Sequence, residues 1–322
     1  MAALSVQRIL HPTDFSTTAD AACAYALDLA RRSEAELHLV HVVAGRRDYA
    51  PATGLSAEEE EALFRQLRET TNTHLGTCSP EEREALHLEY ALVEGKHEAP
   101  AIVAHAERHG FDLIVLGTHG RRGLRHLLLG SVAEEVLRSA PCPVLVVREQ
   151  QEAKPVEVAR IVVPVDFSAH SGQALAQAKR LAALYGATIS LLFVAEEQLV
   201  PFFSDTGIPT FTLLKIDPAV VAQSGDALRQ LAAHTGGPDV PVTCAVRTGQ
   251  PPHEVLDFAH EQEADLIVMA TRGLTGAERG WIGSVTERVV RTAPCPVWTI
   301  SPSVPMTPAD AGNGAQASEA EP

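Results

Sequence analysis

The sequence predicts an α/β protein of two tandem doubly wound domains, each with a five-stranded parallel sheet in strand order 3-2-1-4-5 sandwiched by helices. Three observations lead there. The chain repeats itself at the period of one domain. Within each repeat, short apolar runs alternate with helical patterns. A glycine-rich loop stands at the same place in each repeat, after the fourth apolar run.

The repeat is direct. RILHPTDFSTTADAACAYALDLARRSEAELHLVHVV (8–43) aligns without gaps on RIVVPVDFSAHSGQALAQAKRLAALYGATISLLFVA (160–195). DLIVLGTHGRRGLRHLLLGSVAEEVLRSAPCPVLVV (112–147) aligns on DLIVMATRGLTGAERGWIGSVTERVVRTAPCPVWTI (265–300). The unit is roughly 150 residues, one domain's worth. Residues 1–148 and 158–302 therefore read as the domains and the polar, Pro-containing 149–157 as a linker. The Ala-, Pro-, Gly- and acid-rich tail, 303–322, has no periodicity and reads as disordered.

In the first repeat, apolar runs near 6–11, 36–43, 86–92, 112–117 and 143–147 have strand length and composition. Helical patterns fall near 17–33, 57–74, 98–109 and 132–139. The second repeat places strands near 160–165, 187–194, 240–246, 265–270 and 296–300. Strands separated by helices imply a parallel sheet covered on both faces. The segment VPFFSDTGIPTFTLL (200–214) is apolar but full of turn residues. It reads as a packed loop, with a lid or partner surface as the alternative.

Composition narrows the function. Apolar residues at 45% and charged residues at 21% are an ordinary globular balance. A net charge of −15 argues against a nucleic-acid partner, which needs a neutralising basic surface. No apolar run reaches membrane-spanning length, and the start, MAALSVQRILHPTD, has no signal-like apolar core, so a cytoplasmic location is expected. The five cysteines form no C-x-x-C and suit a reducing compartment.

In a doubly wound sheet, ligands sit beyond the carboxyl ends of the strands at the switch point. There HPTDFS follows the first strand and the glycine-rich loop follows the fourth. Glycines let backbone N–H groups approach an oxyanion, and a helix N-terminus favours a phosphate. Arg121, Arg122, Arg125 and His126 add a basic cluster in an acidic chain. A polyphosphate is the natural candidate. The competing reading is local: Ser131-Val-Ala-Glu134 and Ser284-Val-Thr-Glu287 are S-x-x-E patterns that form capping boxes without any ligand. Asp14 has a competing role too, as the cap of the helix beginning near Thr17. The loop is neither a P-loop nor a G-x-G-x-x-G dinucleotide turn.

G-x-x-G, nine residues, then G-[ST] resembles the ATP-binding pattern of the universal stress protein family, and Gly117-Thr-His-Gly120 followed by Gly130-Ser131 matches it. PTDFS, LVHVV, DLIVLGTHG, LLLGSVAEEV and APCPVLVV also look like that family, and the likeness covers both halves. The resemblance implies an ATP-binding stress-response or regulatory protein, acting through nucleotide binding and protein interaction. A slow ATPase or phosphotransfer enzyme and a nucleotide-free interaction scaffold are the alternatives. It implies ATP or another adenine nucleotide as ligand, with or without Mg, an unknown regulatory protein as partner, and a homodimer of tandem chains.

Carried over by position, Gly117, Gly120, Arg121, Gly130, Ser131 and Val132 would surround the phosphates and ribose, and Thr13, Asp14 and Val42 the adenosine end. The second half keeps Asp166, Val194, Gly273, Gly283, Ser284 and Val285, but Ala270 replaces the first glycine and Leu274 and Thr275 replace the arginine pair. The first half is expected to bind more tightly. The family's fifth strands often pair across a two-fold, which PVLVV and PVWTI can do within one chain.

Other patterns carry less. His105 and His109 stand i, i+4 as metal ligands can, without an apparent third ligand. Cys142 and Cys295, repeated in APCPV, read as buried structural thiols.

Overall fold

The computed structural model describes residues 6–44, 55–76, 79–118, 129–148, 155–203, 209–214, 216–273 and 282–301. The first half runs β1 (Arg8–Pro12), α1 (Thr17–Ser33), β2 (Glu36–Ala44), α2 (Ala57–Leu75), α3 (Pro80–Glu84), β3 (Leu88–Gly95), α4 (Glu98–His109), β4 (Leu113–Gly117), α5 (Ser131–Ser139) and β5 (Val144–Val147). The second runs β6 (Arg160–Val165), α6 (Ala169–Tyr185), β7 (Thr188–Glu196), β8 (Gln198–Phe203), β9 (Pro209–Leu214), α7 (Pro218–His234), β10 (Val242–Gly249), α8 (Pro251–Glu261), β11 (Leu266–Ala270), α9 (Ser284–Thr292) and β12 (Val297–Ile300).

The expected order is realised in both halves. One ten-stranded sheet runs β10-β7-β6-β11-β12-β5-β4-β1-β2-β3, parallel within each half. Two apolar layers cover its faces. Ile9, Leu37 and Leu113 pack with α1, whereas Leu10, Val40 and Ile114 pack with α4 and α5. Burial on both faces explains why the central strands read as continuous apolar runs.

β3 and β10 begin at Leu88 and Val242, two residues later than the sequence suggests. Both are edge strands with half-exposed, weakly apolar patterns, so their ends are poorly marked. The segment around 200–214 is a correction: it is an antiparallel hairpin, β8 with β9, rather than an irregular packed loop. Val, Phe and Thr on either side of the turn residues have strand propensity that the turn chemistry hid. Residues 204–208 lie outside the described residues, as do 149–154 of the linker and the 303–322 tail.

β5 and β12 join the halves antiparallel, Val297 opposite Val146, Trp298 opposite Leu145 and Thr299 opposite Val144. Leu145 and Trp298 are equivalent positions of the repeat, so an internal pseudo-two-fold passes between them. Hydrogen bonds reinforce the seam: Thr299 Oγ1 to Val144 O at 3.1 Å, Arg148 to Arg291 O at 2.5 Å and Tyr185 OH to the Asp28 carboxylate at 2.8 Å. Trp298 is fully buried there. Trp298→Ala is expected to destabilise the chain by about 3–5 kcal/mol, the usual cost of truncating a buried tryptophan. A shift in urea midpoint at unchanged m-value measures this; a change under about 1 kcal/mol would mean the seam repacks.

Candidate functional site

Parallel pairing of β1 with β4 places their carboxyl ends side by side, with Ile9 opposite Leu113 and Leu10 opposite Ile114. Above β1 the chain turns sharply. The Thr13 N–H donates to Val40 O at 2.9 Å. Thr13 Oγ1 then accepts from the Phe15 N–H at 3.0 Å, and the Asp14 carboxylate from the Ser16 N–H at 3.1 Å. Ser16, not Asp14, caps α1, accepting from the Ala19 N–H at 3.3 Å. The second half repeats the turn: Asp166 accepts from the Ser168 N–H at 3.0 Å, and Ser168 caps α6. The helix-capping role considered for Asp14 therefore falls to its neighbour.

Val42 lies two residues beyond Val40 on β2. Even-numbered residues of β2 direct their backbone groups toward β1, as the Glu36 N–H to Gln7 O bond shows. β1 has ended by then, so the N–H and C=O of Val42 face the space above Asp14. Val194 on β7 faces the equivalent space above Asp166, because Thr188 N–H bonds Ala159 O on the β6 side.

The loop after β4 is clasped at its base. The Thr118 N–H donates to Val147 O at 2.9 Å, and the Gly130 N–H to Thr118 O at 2.7 Å. The second half has the same clasp, Thr271 to Ile300 O and Gly283 to Thr271 O, both 2.9 Å. This clasp makes Gly130 and Gly283 the N-caps of α5 and α9, with no side-chain cap bond at either helix. The expected capping boxes do not form. Ser131 and Ser284 occupy the first helical position and are exposed; Glu134 pairs instead with Arg138 at 2.8 Å, and Glu287 with Arg291 at 2.7 Å. First-turn N–H groups of a helix have no intrahelical partner, and among the described residues no side chain caps those of α5 or α9, which start beside an acidic turn.

Packing against α1 requires a glycine at 117. A Cβ there would stand 2.7 Å from the Thr18 carbonyl carbon and 2.9 Å from the Ala19 nitrogen, so the missing side chain admits the first turn of α1. Ala270 stands at the equivalent place in the second half. Gly273 does face the site: a Cβ on it would collide with Asp166 Oδ2, so the second loop leaves β11 directly over that carboxylate. Gly120 and Arg121 lie outside the described residues, as do Arg122, Arg125 and His126, and Leu274 and Thr275.

The structure thus gathers Thr13, Asp14, Val42, Gly130, Ser131 and Val132 at the carboxyl end of the first sheet half, and Asp166, Val194, Gly273, Gly283, Ser284 and Val285 at that of the second. Sequence reasoning missed Phe15, Phe167 and His41. Phe15 and Phe167 have φ of 61° and 62°, left-handed backbone unusual for so bulky a residue. The recurrence of Phe after Asp in both halves was the available signal.

The remaining patterns resolve simply. The His105 and His109 rings meet at 4.4 Å, tilted by 42°, and among the described residues no group of three His, Cys, Asp or Glu is arranged to hold a metal. Burial pushes the Cys142 and Cys295 thiols up to about 12, which keeps them protonated and unreactive.

Fold and candidate site together define a class: a tandem doubly wound α/β protein with an acidic turn and a glycine-started helix at each switch point. The sequence model of the Universal stress protein family matches residues 5–148 and again 157–301, and the chain belongs to that family twice over. A universal stress protein of Methanocaldococcus jannaschii is 36% identical over 148 residues, spanning 45% of this chain and 84% of the relative. One of Mycolicibacterium smegmatis is 28% identical over 305 residues, 91% of this chain and 97% of the relative. The crystal structure of a putative universal stress protein from Pseudomonas aeruginosa superposes with a TM-score of 0.63 at 20% identity, covering 93% of this chain and 95% of that one.

Two stability predictions follow from the site's walls. Gly117→Ala is expected to cost about 1–3 kcal/mol through overpacking against α1, measured by thermal and urea unfolding. An unchanged midpoint would show that α1 yields freely. His11, fully buried at the end of β1, donates from Nδ1 to Val115 O at 2.9 Å, and among the described residues no partner meets its Nε2. Burial above all lowers its pKa to about 4, with the Val115 carbonyl pulling the other way. The folded imidazole stays neutral while the unfolded one takes a proton near its ordinary value. This contribution is therefore intact above about pH 6.5, is lost as pH falls toward 4, and amounts to about 3 kcal/mol over that window. His11→Val, copying Val163 of the second half, is expected to flatten the slope by that amount in unfolding measured from pH 7 to 4.

Proposed function

We propose that each half binds an adenine nucleotide, ATP first among them, with or without Mg, and that the chain works as a stress-response regulator by binding rather than turnover. The observation that carries this reading is the uncapped start of α5 and of α9 beside an acidic turn. A sequence with an S-x-x-E pattern at hand leaves the box unformed, and its helix N–H groups remain available to an anion. Phosphates would lie on the N–H groups of Ser131 and Val132, and of Ser284 and Val285. The carboxylates of Asp14 and Asp166 would accept from ribose hydroxyls or the adenine amine. The backbones of Val42 and Val194 would read the adenine edge. Gly120 and Arg121 would complete the first phosphate site. Residues 1–148 and 158–302 would act as the two binding units, joined to a regulatory protein or to a second tandem chain.

The first half is the tighter site in this reading. Arg121 and Arg122 become Leu274 and Thr275, removing two charges suited to phosphate, worth about 0–1 kcal/mol each if exposed. Arg272 in place of His119 offsets part of this.

Calorimetric titration of ATP, with AMP and cyclic AMP as competitors, tests the reading. Asp14→Ala is expected to remove the tighter of two binding events and Asp166→Ala the weaker; equal losses, or a dominant second site, would contradict the ranking. Gly130 has φ −62° and ψ 144°, which a β-branched side chain tolerates. Gly130→Val is therefore expected to fold and yet bind ATP at least tenfold more weakly, roughly 1.4 kcal/mol. Unchanged affinity in the folded variant would remove α5 from the site.

A further inference from the structure

The turns carrying Asp14 and Asp166 share an unusual backbone and an unusual brace. Phe15 and Phe167, next in sequence, sit at φ 61° and 62°, a region a bulky side chain enters only when its surroundings hold it. Each ring lies against the side chain of an equivalent residue on the neighbouring strand. Phe15 meets His41 with ring centroids 4.8 Å apart and planes at 31°. Phe167 meets Phe193 at the same 4.8 Å and 45°. In the first half His41 adds a hydrogen bond, its Nδ1 donating to Thr13 O at 2.8 Å, which fixes the tautomer.

We propose that the pairs Phe15–His41 and Phe167–Phe193 are positioning residues that hold the Asp14 and Asp166 side chains in place at the carboxyl ends of β1 and β6. Three features argue for this over plain core packing. The left-handed residue is the one directly after the acid, so relaxing it turns the carboxylate. The pair is kept in both halves although its strand partner changes from imidazole to phenyl, as stacking allows and a purely hydrogen-bonded brace does not. Phe167 is 38% exposed, more than core packing alone explains. The ring is held by its partner while the acid beside it faces the loop, as the Asp166 carboxylate does over Gly273. The inference rests on the nucleotide reading above and extends it to the residues that brace the acidic turns.

The test is ATP titration of the full chain in an Asp166→Ala background, which isolates the first site, alongside thermal melts. Phe15→Ala and His41→Ala are each expected to weaken binding roughly tenfold, whereas His41→Phe, copying the second-half pair, stays within about twofold of the parent, well under 1.4 kcal/mol. Rescue by phenylalanine but not alanine is the signature of positioning by the ring. If Asp14→Ala abolishes binding while the ring variants bind like the parent, or if His41→Phe loses as much as His41→Ala, the positioning role is overturned and the nucleotide site stands. If the parent does not bind, or Asp14→Ala binds as tightly as the parent, the nucleotide reading itself fails. Should a first-half variant unfold, Phe167→Ala, Phe193→Ala and Phe193→His in an Asp14→Ala background decide the matter by the same comparison.

Discussion

Everything at the candidate sites depends on β1 lying beside β4, and β6 beside β11. Only two residue pairs fix each contact, Ile9 with Leu113 and Leu10 with Ile114 in the first half, Leu266 with Ile161 and Ile267 with Val162 in the second. That adjacency is where the strand order reverses, so the chain leaves β1 toward one face and β4 toward the other. The acidic turn and the glycine that starts α5 or α9 then stand at the same end of the sheet. Gly117 is the local consequence: α1 crosses so near the end of β4 that Thr18 backbone occupies the place of a side chain. A change in that pairing would separate Asp14 from α5 however well each were made.

The second constraint is the seam. Antiparallel pairing of β5 with β12 turns two half-sheets into one, and equivalent residues meet at its centre. Duplication in one chain lets those equivalents differ. Leu145 faces Trp298, and Arg148 bonds the last turn of α9 while Ser301 stands at the equivalent position of the second half. The same freedom is visible at the sites, where His41 corresponds to Phe193 and His11 to Val163. The halves share a frame and have diverged in the side chains around it.

Much of this was legible in the sequence, for physical reasons. The repeat follows from direct self-alignment and the strand–helix alternation from apolar periodicity, because the central strands are short but buried on both faces and so read as unbroken apolar runs. The acidic turn and the glycine loop were legible because each recurs at the same place in both repeats. What escaped depends on tertiary contacts. The S-x-x-E pattern forms a box at Ser56 and Ser79 but not at Ser131 or Ser284, because the Thr118 and Thr271 carbonyls take the N–H of the preceding glycine and start the helix there. The packing constraint on Gly117 is invisible until the crossing of α1 is known. Left-handed Phe15 has no signature beyond its repetition, since propensity argues against it. The β8–β9 hairpin was masked by its own turn residues.

A crystal structure of the chain grown with ATP tests the central claim most directly, that the uncapped starts of α5 and α9 are phosphate sites facing an acidic turn. The expected result is phosphate oxygens within hydrogen-bond distance of the Ser131 and Val132 N–H groups, with the adenosine between Asp14 and the Val42 backbone and the first half more fully occupied than the second. Nucleotide bound elsewhere on the chain, or an empty crevice at saturating ATP, would contradict it.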